Sequence, residues 1–214
     1  MKKLLLFALP LALVFGSCST SKVTTSWNQS KQTPAHFQKI LVVGLFDNKN
    51  RDLRQQMEDQ LAQELRQEGY DAVTSVSVYG PKSFQNISEE QALKEVRSRD
   101  IDGVITIGLV NTDKQKNYVR NYAYRPYSGW HYNPWYGWVY RPYYMPGFYG
   151  HYETNINYVF ETNLYDVHNE QLIYSVQTRS NNPSNVYVLA DDYSKSVAKD
   201  LYKKNILGSL NSVF

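Results

Sequence analysis

Residues 39–46, Lys-Ile-Leu-Val-Val-Gly-Leu-Phe, form a short, uninterrupted apolar run rich in branched side chains, and they decide the fold. Such a run fits a central strand covered on both faces, because a strand with one wet face would alternate. Downstream, Asn48 and Asn50 stand where a helix is capped, and Leu53, Met57, Leu61 and Leu65 recur at every fourth position, with Ala62 beside them, until Gly69. This is an amphipathic helix closed by a glycine. Residues 71–79 alternate apolar and hydroxyl side chains around Val76 and Val78 and predict a half-buried strand, which Gly80 and Pro81 end.

Ser88 with Gln91 three positions later predicts a capping box, with Ile87 placed as its hydrophobic staple, and a second helix to about Arg99. Residues 101–110, Ile-Asp-Gly-Val-Ile-Thr-Ile-Gly-Leu-Val, read as a third strand. Further on, Ile156, Tyr158, Phe160, Thr162 and Leu164 line one face of a strand. Residues 167–170 turn, and Leu172, Tyr174 and Val176 return, which predicts a hairpin. A last helix starts with Asp191 or Asp192 as cap and carries Val197, Ala198, Leu201, Ile206 and Leu207. The order is βαβαβ, an aromatic excursion, ββ, then α. It predicts one α/β (α+β) domain over residues 37–214, with a mixed sheet, parallel at first and antiparallel later, and an insertion at 118–152.

Residues 40–46 with their helix, Gly69-Tyr-Asp-Ala-Val73, Asp102-Gly-Val-Ile-Thr-Ile-Gly108 and Asn163-Leu-Tyr-Asp-Val167 through Leu172-Ile-Tyr-Ser175 resemble a loosely related group of periplasmic lipoproteins. The group includes the curli-secretion lipoprotein, activators of penicillin-binding proteins, the amino-terminal domain of TolB and uncharacterised Bacteroidetes lipoproteins. The resemblance covers about residues 37–110 and 152–207. It implies an interaction domain in the bacterial envelope that carries no chemistry. The transmembrane hairpins of the curli pore are not matched, so pore formation does not carry over.

At the amino terminus, Lys2 and Lys3 precede an apolar run at 4–15, too short to span a bilayer as a helix. The run ends in Phe15-Gly-Ser-Cys18, which resembles the bacterial lipobox, with Phe15 where Leu is usual. Residues 1–17 thus read as a lipoprotein signal peptide. Cys18, the only cysteine of the chain, is the lipidation site, joined to a membrane by its acyl chains. With one cysteine no intrachain disulfide forms. Ser19 after the cysteine, rather than Asp, resembles an outer-membrane address. Residues 18–36 read as the lipidated cysteine and a polar tether, with a short edge strand around Val23 to Trp27. Without Lys2 and Lys3 the balance is 21 basic against 20 acidic residues, so no basic footprint for nucleic acid exists.

The unusual feature of the composition is tyrosine, 19 in 214 residues. Residues 118–152 hold eleven Tyr, three Trp, Phe148, four Pro and four Gly, and no carboxylate lies between Asp113 and Glu153. A repeat of eight runs through them: Tyr124-Arg-Pro-Tyr-Ser-Gly-Trp-His131, Tyr132-Asn-Pro-Trp-Tyr-Gly-Trp-Val139, then a loosened copy from Tyr140. Pro and Gly forbid a regular helix, so this stretch reads as a long loop. Three roles fit it: a loop packed on itself, a contact surface for protein or glycan, and a membrane-interface patch. The contact reading names Tyr124, Tyr127, Trp130, Tyr132, Trp135, Trp138, Tyr140 and Tyr143.

No chemistry is legible elsewhere. His36, His131, His151 and His168 share no metal-ligand spacing, although His131 and His151 flank the repeat and would meet across a hairpin stem. Residues 47–52 follow the first strand, where doubly wound folds bind ligands, but lack the glycines of a phosphate cradle. Asp71, Asp100, Asp102 and Asp166 read as caps and turns. No catalytic residue, metal or cofactor is assigned. The expectation is a non-catalytic binding or assembly module of the envelope whose aromatic loop contacts a partner. A structural lipoprotein and a glycan-processing factor are the alternatives, and a converging carboxylate pair near the loop would mark the last.

Replacing Cys18 with Ala is expected to abolish incorporation of labelled palmitate in a bacterial host and to leave an uncleaved precursor. Intact mass reads both, and acylation of the variant would overturn the lipobox reading.

Overall fold

The computed structural model describes residues 19–29, 34–81, 88–133 and 137–208, with backbone alone at Asn48, Glu89, 120–133 and 137–150. Strand β1 spans Ser21–Asn28, β2 Lys39–Leu45, β3 Asp71–Thr74, β4 Gly103–Asn133, β5 Gly137–Asp166 and β6 Gln171–Asn181. Helix α1 is Arg51–Gln67, α2 Ser75–Tyr79, α3 Glu89–Arg97 and α4 Val186–Lys203. One six-stranded sheet results, in the order β1-β6-β5-β4-β2-β3. β2 is parallel to β3 and β4, and every other pairing is antiparallel, as the element order predicts.

Ile40, Leu41, Val42 and Val43 are all buried, two on each face, which is why this strand shows no alternation. Ile40 and Val42 join the larger core, where α1 contributes Met57, Leu61 and Leu65 and α4 contributes Leu189, Tyr193, Val197 and Leu201. Leu41 and Val43 join a smaller cluster with Val96 of α3 and Val167. Phe160 lies between the Tyr158 and Tyr193 rings, and the Tyr193 hydroxyl pairs with Thr162, so α4 is pinned to β5 by rings and a buried polar contact.

Several expectations are corrected. Residues 71–79 do not form one strand: β3 stops at Thr74, whose hydroxyl accepts the Ser77 N–H (3.2 Å) and opens α2. Alternating hydroxyl and apolar residues suit that cap as well as a strand. Asn50 makes no side-chain cap for α1, and Asn185 rather than Asp191 or Asp192 caps α4, accepting the Val188 N–H at 2.9 Å. Leu207 lies beyond α4, bridging Ala35. The third strand does not end at Val110 but runs on through most of the aromatic stretch. The edge strand expected around Val23 to Trp27 is present as β1, slightly longer and antiparallel to β6. Helix α3 has the predicted Ser88–Gln91 capping box, while Ile87 lies outside the described residues.

At the crest where β2 and β3 end, the place of ligands in doubly wound folds, sits an internal brace. Glu58 is fully buried and accepts from the Gly44 N–H (2.8 Å), Arg54 Nε (2.9 Å), the Ser75 hydroxyl (2.7 Å) and the Val76 N–H (3.2 Å). One carboxylate thereby ties β2, α1 and the β3–α2 corner. Gly44 is required here, since a Cβ would stand 2.8 Å from Arg54 Cγ. Glu58→Ala removes the carboxylate that neutralises the buried Arg54 and leaves two backbone donors unpaired, and is expected to lower unfolding free energy by about 3–5 kcal/mol. A urea midpoint unchanged from wild type would show that the brace is dispensable.

Candidate functional site

The aromatic stretch is a two-stranded ribbon. β4 and β5 stay in antiparallel register from Gly103↔Asp166 to Asn133↔Gly137, and beyond Thr112↔Tyr158 they have only each other as partners among the described strands, apart from the Asn157↔Asn181 pair. One irregularity interrupts the ladder, a bulge between Leu109 and Asn111 that absorbs Val110. Above it, even-numbered residues always face even-numbered ones, and directly opposed residues share a face.

Parity therefore sorts the arm. On the even face stand the pairs Tyr118↔Tyr152, Tyr122↔Phe148, Trp130↔Tyr140 and Tyr132↔Trp138, with Tyr124 opposite Pro146 and Tyr144 opposite Pro126. On the odd face the aromatics are Tyr127↔Tyr143 and Tyr149. The eight-residue repeat is explained: eight is even, so equivalent positions keep their face, and the even register carries this across the hairpin. Of the sequence-predicted contact residues, Tyr124, Trp130, Tyr132, Trp138 and Tyr140 share the even face. Tyr127 and Tyr143 pair on the other, and Trp135 and Cys18 lie outside the described residues.

The backbone explains the prolines. The Asn182 N–H donates to the Ile156 carbonyl (2.8 Å), so the Ile156 backbone, opposite Lys114, faces away from β4. That orientation alternates along a strand. Every even pair above the bulge is thus a non-hydrogen-bonded pair whose N–H groups turn to the ribbon's outer edges. Pro126, Pro142 and Pro146 all occupy even positions. They cost the inter-strand ladder nothing, and they remove donors from both outer edges, which blunts the ribbon against a third strand. Non-hydrogen-bonded pairs also bring side chains closest, and at the arm's base the Tyr118 and Tyr152 rings lie 5.1 Å apart.

Charge follows parity too. The even face carries Lys114, Lys116 and Arg120 and no carboxylate from Thr112 to Tyr158. The odd face carries Arg125 and Arg141 and both base carboxylates, Asp113 and Glu153. Asp113 accepts from Gln115 (2.9 Å) and Glu153 pairs with His151 (3.0 Å), and four ladder rows separate them. They do not converge as a hydrolytic pair. His131 and His151 do not meet, being opposite Val139 and Val119. No group of three or more metal-ligating side chains occurs among the described residues. At the opposite end of the sheet, Asp166 accepts from the His168 and Asn169 N–H groups (2.9 and 3.1 Å) and from Asn169 Nδ2 (2.6 Å). Burial acts to raise its pKa, but these hydrogen bonds outweigh burial and hold the carboxyl below its ordinary range. This is the turn chemistry the sequence predicts.

A second concavity of about 540 Å³ lies between α3 and the sheet, lined by Leu41, Val43, Leu93, Val96 and Val104. No helix among the described residues is long and apolar enough to cross a membrane.

The fold and the arm together define a mixed α/β domain bearing a long aromatic hairpin. No family model matches the chain, and no curated protein does. Among solved structures, it is similar to a subunit of the PelC dodecamer from Paraburkholderia phytofirmans, at 15% identity over 81% of this chain and 94% of that one, TM-score 0.44. Lipoprotein GNA1162 from Neisseria meningitidis is similar at 14% identity over 77% and 98%, TM-score 0.40. A PDZ domain protein from Parabacteroides distasonis follows at 11% identity over 86% and 37%, TM-score 0.37. Likenesses this loose define neither a family nor an activity.

The register is directly testable. Arg120→Cys with Gly150→Cys, a directly opposed pair, is expected to oxidise to an intramolecular disulfide, seen as a shift on a non-reducing gel. Arg120→Cys with Tyr149→Cys, on opposite faces, should stay reduced. Equal oxidation of both would overturn the face assignment.

Proposed function

We propose that this chain is a lipid-anchored protein of the bacterial envelope, a non-catalytic binding or assembly module in which the α/β domain holds out the hairpin arm to contact an envelope partner. The observation that carries this reading is the segregation of ten of the arm's thirteen paired aromatic residues onto one face. Rigid rings with polar tips, collected on one side of an edge-blunted ribbon, suit recognition by burial and stacking. The lipobox resemblance at Cys18 supports the anchor, and the Ser19 position supports an outer-membrane address. No described carboxylate pair, nucleophile or metal-ligand group supports a reaction.

Replacing residues 122–150 with a short Gly/Ser linker leaves every core contact described above in place. The wild-type chain is expected to be retained on purified cell-wall sacculi or bilayers, or to cross-link from arm positions to one envelope component. The shortened chain should lose that retention while keeping its circular dichroism and urea midpoint. Identical behaviour of the two chains would overturn the arm as the contact device.

A further inference from the structure

The amino terminus and the arm leave the domain at the same end. Ser21 is opposite Ser180, Ser180 opposite Tyr158 and Tyr158 opposite Thr112, so one row of the sheet joins the start of β1 to the root of the arm. Two strand spacings, about 10 Å, separate β1 from β5 along that row. The arm from Thr112 to Asn133 is roughly 70 Å long at about 3.3 Å per residue.

The anchor has little slack. Thr20 donates its N–H and its hydroxyl to Asp192 Oδ2, each at 2.7 Å, and its carbonyl accepts from the Asn181 N–H at 3.0 Å. Only Ser19 stands between Cys18 and this fixed residue. An acyl chain on Cys18 therefore holds Ser21, the near end of that row, within about 11 Å of the bilayer surface, and Thr112 stands three strand spacings, about 14 Å, further along the row. An arm of roughly 70 Å rising from that row meets the bilayer or lies along it.

The same end is unusually apolar. Val110 at the bulge (57% exposed), Tyr118 (52%), Tyr152 (72%) and Tyr187 (58%) at the start of α4 are open to solvent here. The Asn182–Ile156 bond holds the approach to α4 against the arm's root. Rings beside Lys114, Lys116 and Arg120, with no carboxylate on that face, match the chemistry of a membrane interface. There Trp and Tyr sit at headgroup level and cations meet anionic lipid.

We propose that the occupant of the arm's even face is the headgroup interface of the bilayer that holds the acyl chains of Cys18. The arm is then a second, reversible membrane contact that fixes the domain's orientation on its lipid anchor. The edge prolines oppose the alternative of a membrane-spanning barrel, which needs its strand edges paired. This inference rests on the proposed function, and names the partner of that same arm.

The test uses the full, acylated chain carrying Trp27→Phe, so that fluorescence reports Trp130, Trp135 and Trp138. It is reconstituted in vesicles of phosphatidylethanolamine and phosphatidylglycerol containing lipid brominated in its acyl chains. Bromolipid is expected to quench roughly half of the emission or more, as for rings at the interface. Tyr122→Ser with Tyr124→Ser and Tyr144→Ser, on the even face, should lose most of that quenching. Tyr127→Ser with Tyr143→Ser, on the odd face, should retain it, and serves as the control for folding. Lys114→Gln with Lys116→Gln and Arg120→Gln should reduce quenching in these anionic vesicles. Emission quenched by aqueous iodide and untouched by bromolipid would overturn the proposal. If sacculi or an arm-to-arm cross-link between copies then capture the chain, the arm's contact role survives with a glycan or a second copy as occupant. A chain lacking acyl mass at Cys18 overturns the anchor reading, and this inference with it.

Discussion

The arm depends on one displaced residue. Val110 bulges out of β4 between two stretches of regular antiparallel ladder, and this shifts the pairing above it by one. Because side chains alternate with period two, a shift of one exchanges the faces of one strand relative to its partner. Below the bulge, odd residues of β4 such as Ile105 and Ile107 share the core face with even residues of β5 such as Phe160 and Leu164. Above it, even meets even. Had the lower register continued, Tyr132 and Trp130 would share a face with Tyr143 and Tyr149, while Trp138 and Tyr140 would fall on the other. The aromatic residues would divide almost evenly between the two faces.

The sheet beneath makes the bulge tolerable. β4 is held by β2 on one side and β5 on the other, and β5 by β6, so the ladder below Leu109 is fixed on every edge. Glu58 braces the far side of β2, gathering donors from Gly44, Arg54, Ser75 and Val76, and it fills with protein groups the crest where doubly wound architectures hold ligands. A buried carboxylate satisfied so completely marks a position built for shape.

The start of β1 is tied to α4 through Thr20 and Asp192. Were residues 18–36 a flexible tether throughout, the arm would have no fixed direction relative to the chain's amino terminus. With β1 in the sheet and Thr20 tied to α4, the proposed acyl group on Cys18 would stand two residues from a fixed point of the domain.

Local signals were enough wherever one element's own periodicity set its fate. The apolar run at 40–43, the fourfold spacing through α1, the Ser88–Gln91 box and the alternation from Tyr158 to Leu164 each determined their elements, because helix faces and strand faces are repeats of the chain itself. The eight-residue repeat was equally plain. Tertiary structure alone decided three things. Glu58 and the Thr74 cap turned 75–79 into helix, Asn185 displaced Asp191 and Asp192 as the α4 cap, and the aromatic stretch became strand. Pro and Gly argue locally against a strand, but half the positions of a two-stranded ribbon need no inter-strand donor, and the prolines at 126, 142 and 146 all occupy that half. The repeat told which residues are equivalent; which of them stand on one face depended on Val110, a single bulge whose effect exists only between two strands.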